Sequence, residues 1–158
     1  MDETRCFRRR SPSSPHCILT SRRTAIGTPD ADTAILFFSR RPEREGLNKQ
    51  LVGQDYAQSR RVAAAFYDHA RRAVADSGLP AIEVNGAQQR GHDFGARLAN
   101  AVADAFAAGY EHVIAVGNDC PALHEVDWAA VTEQLEAGRP VLGPTSGHDG
   151  AYLIGLSR

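Results

Sequence analysis

No stretch of this chain approaches the roughly 18 consecutive apolar residues that a membrane helix needs. The arginines near the start are not followed by an apolar segment of about 7–15 residues, so no secretory leader is read there. Cysteine is scarce: Cys6, Cys17 and Cys120 form no C-x-x-C pair. That count argues against a disulfide framework and against structural zinc, and a reduced, cytoplasmic protein is the simplest expectation. Neither G-x-x-x-x-G-K-[ST] nor G-x-G-x-x-G occurs, which removes the Walker loop and the dinucleotide fingerprint. There is no internal repeat, and nothing marks a second domain. What remains is a chain of 158 residues with ordinary apolar and charged content, enough for one domain with a sizeable core.

Charge is unevenly spread. Residues 1–23 carry six arginines against Asp2 and Glu3, while the whole chain has a net charge of −1. No aromatic interleaving or nucleic-acid fold motif accompanies this cluster. Residues 1–32 are therefore read as a disordered Arg/Ser/Pro-rich tail, with no nucleic-acid partner.

Order is expected from Thr33. The run Thr33-Ala34-Ile35-Leu36-Phe37-Phe38 suits a central strand, and a polar loop follows it through Lys49. Residues 58–77 read as a helix whose apolar face is Val62, Phe66, Ala70 and Val74, closed by Gly78 and Pro80. Ala81-Ile82-Glu83-Val84 reads as a second strand. Asp93 would cap a helix from Phe94 to Ala108, with Phe94, Leu98, Ala101, Val102, Ala105 and Phe106 inward. His112–Val116 is a third strand. A further helix follows with Trp128, Val131 and Leu135 inward, then a strand beginning Val141-Leu142 and another over Ala151–Leu156. Strands alternating with helices predict an α/β fold with a mostly parallel sheet.

Four segments carry chemistry. Val113-Ile114-Ala115-Val116-Gly117-Asn118-Asp119-Cys120-Pro121 places a carboxylate just beyond a buried strand, where open α/β sheets bind ligands. Asp119 is a candidate for holding a metal ion or a polar substrate group; a turn or cap aspartate is the plainer reading. Arg40, Arg44 and Lys49 follow the first strand, as at a phosphate site or in an arginine-rich surface loop. In the segment Gln88 to Leu98, Gly91 and Gly95 bracket a helix start whose N–H groups can receive phosphate or base acceptors, and Arg97 can add a bidentate contact. Gly143 to Gly155 forms a glycine-rich loop before the last strand, with His148 and Asp149 as a ligand or base, or as ordinary turn residues.

Taken in order, these segments resemble a known family. The pattern is Phe38-Ser39-Arg40 with a downstream Lys49, then Gln89 to Leu98, then Gly117-Asn118-Asp119-Cys120-Pro121 with Leu123, then Gly143-Pro144 and Asp149-Gly150 before Tyr152-Leu153-Ile154-Gly155. It is similar to the domain-of-unknown-function 2064 family, a branch of the glycosyltransferase-A-like nucleotide-diphospho-sugar transferases, over residues 33–158. The resemblance implies a Rossmann-like three-layer sandwich and a metal-dependent transfer of a sugar from a nucleotide-sugar donor to a small-molecule or glycan acceptor. By position, Asp119 would bind a divalent Mg or Mn ion that bridges the diphosphate. Arg40 and Lys49 would contact phosphates. Gln89, Gly91 and Arg97 would shape the nucleotide pocket, and Asp149 would be the catalytic group near the reacting sugar.

Gln50-Leu51 follows Lys49 where the family has Thr-Arg, and His148-Asp149-Gly150-Ala151 stands for its Asp-Gly-Gly. Either Asp149 is the family's aspartate with one residue missing, or His148 has taken its place. The chain stops at Arg158, where related sequences continue, so the expectation is a domain truncated on its acceptor side. Strand edges left open there would favour a homo-oligomer. Two other readings stand beside this one: nucleotidyl transfer, which would release pyrophosphate, and a non-catalytic nucleotide-binding remnant.

Overall fold

The computed structural model describes residues 31–53, 55–145 and 150–158. Strand β1, Thr33–Phe38, is buried along its whole length. It pairs in parallel with β2, Ala81–Val84, on one side and with β3, His112–Val116, on the other. Strand β5, Ala151–Ser157, runs antiparallel to β3, and β4, Val141–Pro144, runs antiparallel to β5. The sheet order is β2-β1-β3-β5-β4. Four strands thus point one way and β5 points back. The short link from β4 to β5 requires this, because a parallel pair needs a crossover of a dozen or more residues.

Helices cover both faces, and strand alternation sorts the core between them. Ile35, Phe37, Ile114, Val116 and Leu153 pack with Tyr67, Ala70 and Val74 of α2, Tyr56–Asp76, and with Leu123 and Leu135. Leu123 lies in a 3₁₀ turn, Pro121–Glu125, and Leu135 in the helix Trp128–Glu136. Leu36, Phe38, Val113 and Ala115 face the other way, onto Ala101, Val102 and Ala105 of α3, Phe94–Ala107. This is the α/β three-layer arrangement expected from the alternating pattern.

Three local expectations are corrected. Residues 39–49 are not wholly a loop: Pro42–Asn48 forms a short helix, α1, with Pro42 at its first turn. Seven residues are too few to show a helical apolar period. Gly46 lets α1 approach α2, since a Cβ there would stand 2.7 Å from Arg60 Cγ.

On α2 the buried row is Ser59, Ala63, Tyr67, Ala70, Ala73 and Val74, while Val62 and Phe66 are half-buried. A strict four-residue spacing advances about 40° past a full turn at each step, so such a row winds away from the core. On α3, Phe94 is not inward but 63% exposed. The inward stripe of α3 starts one turn later. The final helix, numbered α4, buries Leu135 fully, with Trp128 and Val131 packed partly against the core.

Candidate active site

The strands β1 and β3 end side by side, and their carboxyl ends form the floor of a cleft of about 400 Å³. Parallel sheets place ligands at this end because the loops there splay apart. Arg40, Glu45 and Lys49 reach the cleft from the segment after β1, and Gly117, Asn118 and Asp119 from the segment after β3. Gln89 and Phe94, Arg97 and Leu98 close one wall, with Tyr152 and Ile154 of β5 beside them.

Five of the residues singled out from the sequence therefore meet in one place: Arg40, Lys49, Gln89, Arg97 and Asp119. Gly91 does not line the cleft. Its φ of 141° is a conformation glycine adopts readily, and a Cβ there would lie 2.8 Å from the Arg97 backbone nitrogen. It permits the close turn into α3. Asp149 and His148 lie outside the described residues, as do Arg-rich positions 1–30.

The most direct link across the cleft is an ion pair. Lys49 Nζ stands 3.1 Å from Asp119 Oδ2 and 2.8 Å from Glu45 Oε1. Lysine and aspartate are 70 positions apart in sequence. Burial works against the ammonium charge, but hydrogen bonds to Glu45 and Asp119 and the field of both carboxylates outweigh it, holding the Lys49 pKa above its ordinary value. The Glu45 side chain is only 9% exposed, whereas Asp119 is 67% exposed. Glu45 therefore fixes the lysine, and Asp119 keeps a face open to the cleft. Sequence reading gave Glu45 no role, although its i,i+4 spacing to Lys49 was a usable signal once α1 is known to be a helix.

Gln89 is wired to the backbone. Its Nε2 donates to Ser39 O at 2.9 Å and to Val84 O at 3.3 Å, tying the loop after β2 to the ends of β1 and β2. Arg97 Nε is buried with no hydrogen-bond partner among the described residues. The start of α3 is less open to anions than its glycines suggested. Asp93 Oδ1 accepts from Ala96 N at 2.7 Å, so the cap carboxylate already takes an amide there and brings a negative charge.

Cys120 is half-buried against the core rather than presented to the cleft, consistent with a packing role. No group of three or more His, Cys, Asp or Glu side chains converges as a metal cage among the described residues. No helix among them is long and apolar enough to cross a membrane.

Comparison with known proteins places this architecture. No curated protein matches the chain. A solved structure from Desulfovibrio desulfuricans G20, described as a "putative nucleotide-diphospho-sugar transferase", is similar in fold, with a TM-score of 0.52 at 21% identity. The match covers 80% of this chain and 64% of that one, so the present chain spans less than two thirds of its length. The family described as "Uncharacterized protein conserved in bacteria (DUF2064)" matches residues 51–158, which takes in every segment of the cleft after Lys49. The chain belongs to the DUF2064 family.

Proposed function

We propose that the cleft binds a nucleotide-diphospho-sugar and that the protein transfers the sugar to an acceptor. The observation that carries this reading is the meeting of Lys49 and Asp119, 3.1 Å apart, at the carboxyl ends of β1 and β3. A diphosphate needs cationic partners, and Arg40 and Lys49 supply them on one side of the cleft. Arg97 lines the same cleft and brings a further guanidinium to the nucleotide side. The fold shared with the Desulfovibrio protein supports the same substrate class.

The donor set suits a magnesium or manganese ion. Such ions use one or two carboxylates together with substrate phosphates and water, rather than a complete protein cage. Asp119 offers hard oxygen ligands from the cleft floor, and the ammonium now against it marks a place where positive charge is favoured. A divalent ion held there would supply charge neutralisation to the departing diphosphate. With a cation on Asp119, Lys49 would be free to turn its N–H groups to a phosphate oxygen.

In the transfer itself the bond from the sugar's anomeric carbon to the diphosphate oxygen breaks. The nucleoside diphosphate leaves with the electron pair, an acceptor oxygen bonds to the anomeric carbon, and the acceptor's proton passes to a base. Asp149 is the candidate for that base from its position before β5. Gln89 and Arg97 would hold the nucleotide while this occurs.

The test is calorimetric titration with nucleotide-sugars in the presence and absence of manganese. Asp119→Ala should abolish the metal-dependent part of the affinity. Equal affinity and equal metal dependence in the variant would remove Asp119 from this role.

A further inference from the structure

Phe94 is the one large side chain of the α3 stripe that leaves the core. It is the first residue of α3, it is 63% exposed, and it lines the cleft. Leu47, Leu51, Tyr56 and Leu142 are also large, apolar and exposed, but none of them lines this cleft. Its ring meets Phe38 edge-on, with centroids 5.8 Å apart and planes at 84°. In that arrangement the edge of one ring meets the face of the other, and the contact holds Phe94 in place. With 63% of Phe94 exposed, much of its surface stays uncovered.

The neighbourhood is contiguous. Ser39 follows Phe38, and its carbonyl accepts the Gln89 amide. Gln89 Nε2 donates to two backbone carbonyls, which fixes this side-chain amide on the same wall of the cleft. The cationic wall of Arg40 and Lys49 and the carboxylate of Asp119 belong to other segments of the cleft. The cleft thus has a side with an aromatic ring and a fixed amide, and a side with Lys49 and Asp119.

We propose that Phe94 is the stacking platform for the nucleobase of the bound nucleotide. An exposed ring held by a perpendicular ring contact offers apolar surface to the cleft, and every base has a π-face that can stack on it. The inference rests on the nucleotide-sugar reading of the cleft and adds to it a residue that fixes the orientation of the nucleotide: base toward Phe94 and Gln89, diphosphate toward Lys49. Phe94 touches the nucleotide and takes no part in bond making.

The test is isothermal titration of the full chain, at fixed manganese concentration, with a panel of nucleoside diphosphates (UDP, GDP, ADP and CDP) and with inorganic pyrophosphate. Phe94→Ala should weaken binding of the preferred nucleoside diphosphate by roughly 5- to 150-fold. Pyrophosphate binding should not change, since it has no base. Phe94→Trp should retain nucleotide affinity, and the emission of the new indole should be quenched by the nucleotide but not by pyrophosphate. Phe94 is exposed, so its truncation leaves the core intact. If wild type and Phe94→Ala bind the nucleotide equally, or if nucleotide and pyrophosphate weaken together, the stacking role is wrong while the nucleotide site stands. If the wild-type protein binds neither ligand, the site reading fails and this inference fails with it.

Discussion

Tyr67 shows how one side chain can serve core and surface together. Its ring packs against Phe37, with centroids 5.3 Å apart, and its hydroxyl donates to Glu83 of β2. Burial first, and then the hydrogen bond and charge of Glu83, push the phenol pKa up to about 12. An unfolded tyrosine titrates near 10. Between about pH 10 and about pH 12 the folded state therefore holds a proton that the unfolded state has lost. This contribution to stability is complete below the lower value and is lost as pH rises through the upper one. Ultraviolet titration of tyrosinate should show a late transition near 12 that Tyr67→Phe removes. Denaturant unfolding across the same window should fall less steeply with pH in that variant.

Lys49 follows the same sign. Its raised pKa makes the bridge between Glu45 and Asp119 a constant feature at neutral pH, to be lost only in strongly alkaline solution. Phe94 makes a different point at this scale. Its position in an apolar stripe predicts burial, yet it lies at the first turn of α3, ahead of the part that Leu36 and Val113 cover.

Among the elements, three helices begin in the same way. Asp55 accepts from Gln58 N at 2.9 Å, Asp93 from Ala96 N at 2.7 Å, and Asp127 from Ala130 N at 3.0 Å. Each satisfies an amide that the helix itself leaves unpaired. Asp93 was legible in the sequence because it immediately precedes the apolar period of α3. Asp93→Ala should cost about 1 kcal/mol, and Asp93→Asn much less, since asparagine caps equally well. Urea unfolding of the two variants checks this. Equal losses in both would assign the effect to the carboxylate charge beside His92 rather than to the cap. The element that sequence reading did not find, α1, matters for the site because it sets Glu45 and Lys49 one helical turn apart.

For the molecule as a whole, stability is concentrated where β1 and β3 lie side by side. Ile114 has no exposure and sits in the cluster shared by α2, the 3₁₀ turn and α4. Ile114→Ala should cost about 2–5 kcal/mol, because the layers on both sides of the sheet cannot collapse into the space. Thermal or denaturant unfolding reads this directly. A loss under about 1 kcal/mol would mean that the neighbouring side chains refill the cavity. The same central pair of strands carries the segments of Arg40 and of Asp119, so a rigid core fixes the spacing of the two sides of the cleft.

The sequence by itself determined the strands and the helices long enough to repeat, because burial imposes periods of 2 and 3.6 on apolar residues. It also determined that Asp119 follows a buried strand, and its ordered motifs indicated the family. Those signals are local. Tertiary structure alone decided that Lys49 meets Asp119 across 70 positions. It also decided that Phe94 faces the cleft instead of the core. The physical reason is common to both. Periodicity reports which side of an element is covered, whereas the partner on that side depends on the order of strands in the sheet.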